Sequence, residues 1–207
     1  MAAGIVVAAV TLSEARLPYQ VMLAATCLCA GALLDSHASN LTRPQQLYFS
    51  QALIGFGTTL FIGPAILYGF LHMMRIGADH LVTFVVVFSI TQNVGALAGS
   101  ALMGSYQIER VHVHSDDLAA QLVLDNPQVS ARVAGSGAAF GSAVSDPTLR
   151  GAESVALLGQ QLGREATVLA FNDVFGLLAW LSGGTALFVA FSLIFRNLRQ
   201  LSKKALS

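Results

Sequence analysis

The chain has 207 residues, of which 55% are hydrophobic and only 11% charged, and its formal net charge is zero. An ordinary soluble domain carries about 25% charged residues, so the sequence lacks the charged exterior that a soluble core of this size would need. The neutral balance also leaves no basic surface of the kind nucleic acid requires.

Four stretches contain no Asp, Glu, Lys or Arg at all: residues 17–34, 44–74, 80–108 and 174–195. A hydrocarbon core of roughly 30 Å needs about 20 apolar residues of helix to cross it, and each stretch is that long or nearly so. They predict an all-α integral membrane protein with four full transmembrane helices, at about 18–34, 49–73, 81–105 and 172–195. Residues 1–12 add a shorter apolar run, read as a partial N-terminal membrane helix whose beginning is missing. A signal peptide would carry Lys or Arg ahead of its apolar core, whereas the first charges here, Glu14 and Arg16, lie behind it.

Cys27 and Cys29 fall within the first full span. Two residues apart on a helix they point to different faces, and no CxxC or Cys/His metal spacing exists, so they read as small apolar residues. The second span carries a flexible, small-residue face: Gly55, Gly57, Thr58 and Thr59, then Gly63-Pro64. Pro64 removes one backbone hydrogen bond and is a place for a kink.

The third span holds Thr91, Gln92 and Asn93 in a row near its centre. Uncompensated polar groups are costly in hydrocarbon, so at least two of these are expected to face other helices or a wet cavity. Either a substrate- or water-lined pathway or interhelical hydrogen bonding satisfies that expectation. Gly95 and Gly99 follow as a GxxxG, a spacing that lets two helix backbones approach closely.

Residues 106–171 are too long for a structureless connection. Ser115-Asp116-Asp117 predicts a helix start with a capping serine and an acidic first turn. The Gly/Ser-rich residues 135–147 predict a turn. Val155, Leu158, Leu162 and Leu169 recur at helical spacing. Together they predict an external amphipathic helical hairpin whose second arm leads into the last span. Within it, His112, His114, Asp116 and Asp117 have metal-ligand chemistry but no recognised ligand spacing, so no metal is assigned. Asn40-Leu41-Thr42 matches a glycosylation sequon.

Asp173 stands where the last span begins. It is a proton-carrier candidate and, equally, a carboxylate suited to a helix start. The tail after residue 195 carries Arg196, Arg199, Lys203 and Lys204 with no acidic residue. Cytoplasmic flanks retain such charges, which places residues 196–207 in the cytoplasm, 106–171 outside, and Arg16 and Arg75 on inner loops.

The run Y-F-S-Q-A-L-I-G-F-G-T-T-L-F-I-G-P-A at 48–65, followed by Q-N-V-G-A-L-A-G-S-A-L-M-G at 92–104, resembles the last part of major facilitator superfamily exporters. The similarity is to the fourteen-helix drug:proton antiporters. In that group an R-N-L-G-G-like segment marks the penultimate helix, a long external loop follows, and Q…A…D-x-F introduces the last helix. The matching positions are Gln92, Asn93, Val94, Gly95 and Ala96, then Gln160 or Gln161, Ala170, Asp173 and Phe175, with Gln92 standing where the family has arginine.

The resemblance covers nearly the whole chain but only the C-terminal third or so of such a transporter. It implies the C-terminal portion of a proton-coupled exporter of small organic molecules in the inner (plasma) membrane. Its partners would be the lipid bilayer, the remaining N-terminal half of the transporter, a small organic substrate and a periplasmic adaptor. Thr58, Thr59, Gln92 and Asn93 would then line the pathway, with Gly55, Gly57, Gly95 and Gly99 as helix-packing positions. The rival reading is a stand-alone membrane scaffold or accessory subunit that binds a partner through its external hairpin. An enzyme is not indicated: no nucleophile–base pair, phosphate loop or dinucleotide fingerprint is visible, and no cofactor is implied.

Overall fold

The computed structural model describes residues 6–7, 13, 16–77, 80–121, 131, 135 and 147–205. Apart from Val6 and Val7, the partial helix expected at 1–12 lies outside these residues, as does most of the turn expected at 135–147. The described elements are helical, with no strand among the described residues. Among the described residues, four helices are long and apolar enough to cross a membrane.

Helix α1 spans Leu17–Asp35 and begins with proline in its first turn, where a missing N–H goes unnoticed and the fixed φ suits the helix. Its 19 residues rise about 28 Å at 1.5 Å each, close to one hydrocarbon thickness. A short 3-10 turn at Pro44–Leu47 leads into α2, Tyr48–Ile76, which continues through Pro64. Gly77 ends α2 with φ of 147°, a backbone state that side chains disfavour, and its N–H closes on the Met73 carbonyl at 3.1 Å. Helix α3, Leu81–Gln121, has 41 residues, and α4, Pro147–Ala205, has 59, far more than one bilayer requires.

Ser115, Asp116 and Asp117 do not start a helix, contrary to the capping pattern, but lie within α3. The physical reason is the absence of a stop: after Gly104 no glycine or proline interrupts the sequence up to Gln121, so the apolar span propagates into its polar continuation. Likewise, residues 152–171 and the apolar residues after them belong to the single helix α4.

The chain divides into two compact units, one comprising Met1–His37, Thr42–Leu102 and Val174–Ser207, the other Ala38–Leu41 and Met103–Asp173. In the first unit α1 and α2 run antiparallel. Asp35 meets Ser50 and Gln51 at one end of the pair, Gly31 meets Ile54, and Gly57 meets Ala24 and Leu28 further along. Ala24 and Leu60 are fully buried, with Phe56 against them. Cys29 lies on the α1 face that meets α4, its Sγ 3.2 Å from where a Cβ on Gly183 would stand, and neither cysteine is in a disulfide.

Asp35 is only 2% exposed. Its carboxylate accepts hydrogen bonds from the Ser50 hydroxyl and, at 2.6 Å, from Gln51 Nε2. Removing a buried acceptor leaves its donors without a partner, so Asp35→Ala is expected to destabilise the chain by about 2 kcal/mol. Asp35→Asn, which keeps one acceptor oxygen, should lose less. Unfolding of the purified protein in mixed micelles by SDS titration checks this, and an unchanged midpoint for the alanine variant would rule the tie out.

Candidate functional site

In the first unit the chemistry gathers along α3. Phe84 and Phe88, one turn apart, stack with ring centroids 5.8 Å apart. Where α2 comes up against this pair, only glycine fits: a Cβ at Gly69 would stand 2.6 Å from the Phe84 ring. The result is a hollow of about 480 Å³ between the two helices, bordered by His72, His80, Phe84, Phe88 and Thr91 among others, with no Asp, Glu, Lys or Arg among the described residues of its lining. A second hollow of about 280 Å³ shares Phe88 and Thr91 and adds Gln92, Gly95 and Ala96. Small-molecule sites occupy about 300–1,000 Å³ and are mostly apolar with a few polar groups. This pair of hollows has that character.

The residues expected to line a pathway are distributed unequally. Gln92 borders the second hollow and is exposed. Asn93 is exposed and donates to the Ser89 carbonyl at 2.8 Å, as Thr91 does to Val87. Thr58 is exposed and Thr59 half-buried. Both hydroxyls donate into the preceding turn of α2, to Ile54 and Gly55, and neither residue borders the two hollows. Gly57 packs closely against α1 and Gly55 is buried. Gly95 and Gly99 differ: a Cβ at either would meet nothing within 4 Å. None of α3's described residues is buried, so Thr91, Gln92 and Asn93 have no covering helix from within the described residues.

The second unit holds a charged cluster. Asp173 Oδ2 accepts from Arg110 Nε at 2.5 Å and contacts His114 Nε2 at 2.7 Å. Arg110 and His114 sit four apart on α3, which puts them on one face, and their side chains are 32% and 18% exposed. Arginine keeps its charge at any ordinary pH, so Asp173 faces a permanent cation. As a proton carrier it would have to leave that cation first. Chemically, the arrangement is a clamp between α3 and α4 within this unit.

Sequence reasoning singled out Asp173 and His114 separately and missed Arg110. The available signal was the i, i+4 spacing of Arg110 and His114. It missed Asp35 as well, since nothing local marks which terminal carboxylate will be buried. His112, Asp116 and Asp117 are exposed, and no group of three His, Cys, Asp or Glu side chains suited to a metal occurs among the described residues. The Asn40 amide, the atom a glycan would take, donates to Glu165.

Comparison of the chain with protein-family models, with curated proteins and with solved structures returns no match.

Proposed function

We propose that the chain is the C-terminal portion of a proton-coupled exporter of small organic molecules, of the major facilitator type. It sits in the inner (plasma) membrane as a multi-pass protein with its C-terminus in the cytoplasm. The observation that carries the reading is the line of hollows on α3, apolar and aromatic at one end and bordered by Thr91 and Gln92 at the other. Polar side chains at membrane depth are tolerated where they line a cavity or meet another helix. A transporter whose remaining half covers this face offers both. Among the described residues the lining holds no Asp, Glu, Lys or Arg, which suits lipophilic substrates. Coupling to protons rests on the family resemblance alone, and Asp173, held by Arg110, is assigned to the clamp.

The bare face of α3 also favours a second reading, a membrane scaffold or accessory subunit whose partner covers that helix. The two separate in one experiment. Gln92→Leu with Asn93→Leu, introduced at the native locus, is expected to slow efflux of a lipophilic dye about fivefold, the loss of roughly one hydrogen bond's net worth. Protein abundance in the membrane fraction should be unchanged. Normal efflux at normal abundance would remove the pathway role, and normal efflux even from a deletion strain would favour the accessory subunit.

A further inference from the structure

The second unit contains a hollow of about 680 Å³ between α3, α4 and the segment Ala38–Leu41, separate in its lining from the hollows on the membrane part of α3. Leu118, Leu158 and Leu162 give it an apolar wall, while Arg164, Glu165, Asn40 and two glutamine amides supply polar groups. Its lip is pinned at two points. Asn172 Nδ2 donates to the Ala38 carbonyl at 2.7 Å, and the Asn40 amide donates to Glu165 Oε1. The second contact occupies one carboxylate oxygen of Glu165 and orients the group. Arg164, its neighbour in sequence, forms no ion pair or hydrogen bond with another described residue.

The cavity therefore presents a guanidinium, a carboxylate held by a neutral amide, and a leucine surface. A ligand with a single charge would gain from one of the two ionic groups and be repelled by the other. A ligand with both charges gains from each. We infer that this hollow binds a zwitterionic amphipathic small molecule, with its acidic group on Arg164, its ammonium on Glu165 and its apolar body against Leu118, Leu158 and Leu162. The volume falls within the range of small-molecule sites, and a few placed polar groups on an apolar wall are what such sites use for orientation.

Leucyl-leucine serves as the probe, titrated calorimetrically against the full chain in phosphatidylglycerol nanodiscs. N-acetyl-leucyl-leucine lacks the ammonium and leucyl-leucinamide lacks the carboxylate. Each is expected to bind about tenfold more weakly than the free dipeptide, in line with the loss of one hydrogen bond to a charged group. Arg164→Gln should abolish the advantage of the free carboxylate while keeping that of the ammonium, and Glu165→Gln should do the reverse. Both positions are on the outside of a long helix or only half-buried, and each variant serves as a folding control for the other.

A free zwitterion and a zwitterionic lipid headgroup share this chemistry. Repeating the titration with phosphatidylethanolamine in the nanodisc distinguishes them, because competition by the lipid would make its headgroup the occupant of the same site. Equal binding of all three dipeptide forms, no response to either substitution, or no binding in either lipid would overturn the inference. None of these readouts depends on transport.

Discussion

Replacing Gly31 or Gly57 with valine is expected to destabilise the chain by about 3 kcal/mol, the upper part of the range for overpacking. A Cβ at Gly31 would stand 2.6 Å from Ile54 Cγ1 and 2.9 Å from the Ser50 carbonyl oxygen. One at Gly57 would stand 2.8 Å from the Ala24 carbonyl oxygen. A side chain can turn away from such a clash, but a helix backbone can retreat only by moving the whole helix, which opens the Ala24–Leu60 core. Gly95→Val and Gly99→Val are the contrasting pair. They meet no atom of the described chain and should change its stability by no more than about 0.5 kcal/mol. SDS titration of the four purified variants side by side measures the difference. Comparable losses at Gly57 and Gly95 would contradict the asymmetry. If Gly95→Val instead impairs dye efflux while leaving the chain as stable as before, the face of α3 is covered by something beyond the described residues.

The second large effect is expected at Asp173. Asp173→Asn keeps the shape of the side chain but leaves the half-buried Arg110 and His114 without their anion. An unpaired charge in a partly desolvated place is costly, and the exposure of the group reduces that cost. The melting midpoint should fall by a few degrees. Amides of α3 around residues 110–118 should also exchange hydrogen faster than in the parent. The exchanged pair Arg110→Asp with Asp173→Arg restores opposite charges across the same gap and should recover most of the loss, since interacting residues show non-additive effects. If the exchanged pair is no better than Asp173→Asn, the contact contributes through shape alone. If the chain is part of an exporter, as proposed, Asp173→Asn also separates the clamp from a proton carrier: with the clamp, efflux should fall only in proportion to the lost stability.

Much of the helix arrangement could be read from charge alone. Apart from at most four residues at the start, the four stretches without Asp, Glu, Lys or Arg each fall within one of the four long helices, because excluding charge is what a bilayer-length apolar helix demands. The limits of α3 were less legible. Ser115-Asp116-Asp117 is a sound capping sequence, but capping only selects among ends that exist. With no glycine or proline between residues 105 and 121 the helix had no reason to stop.

Glycines proved harder to read. Gly95 and Gly99 stood out by their GxxxG spacing and Gly55 and Gly57 by a small-residue face, yet only a partner helix decides which of them bears a close contact, and Gly31, opposite Ile54, carried no motif. The same limit applies to charge. Asp173 stood out by its place at a span's edge, while its partners Arg110 and His114 lie 63 and 59 residues away. Asp35, just past the first charge-free stretch, carries no local sign that α2 will cover it.

That last contact has a bearing on the order of assembly. Ser50 and Gln51 are only 15 and 16 residues from Asp35, and the remaining α1–α2 contacts close progressively along the hairpin. Short-range contacts form early because little chain has to be confined to make them. Once α2 has formed, the carboxylate of Asp35 can be sealed before α3 exists as a folded element. The α1–α2 hairpin would thus be zipped before α3 and α4 are in place, and those two helices would assemble on a template already set.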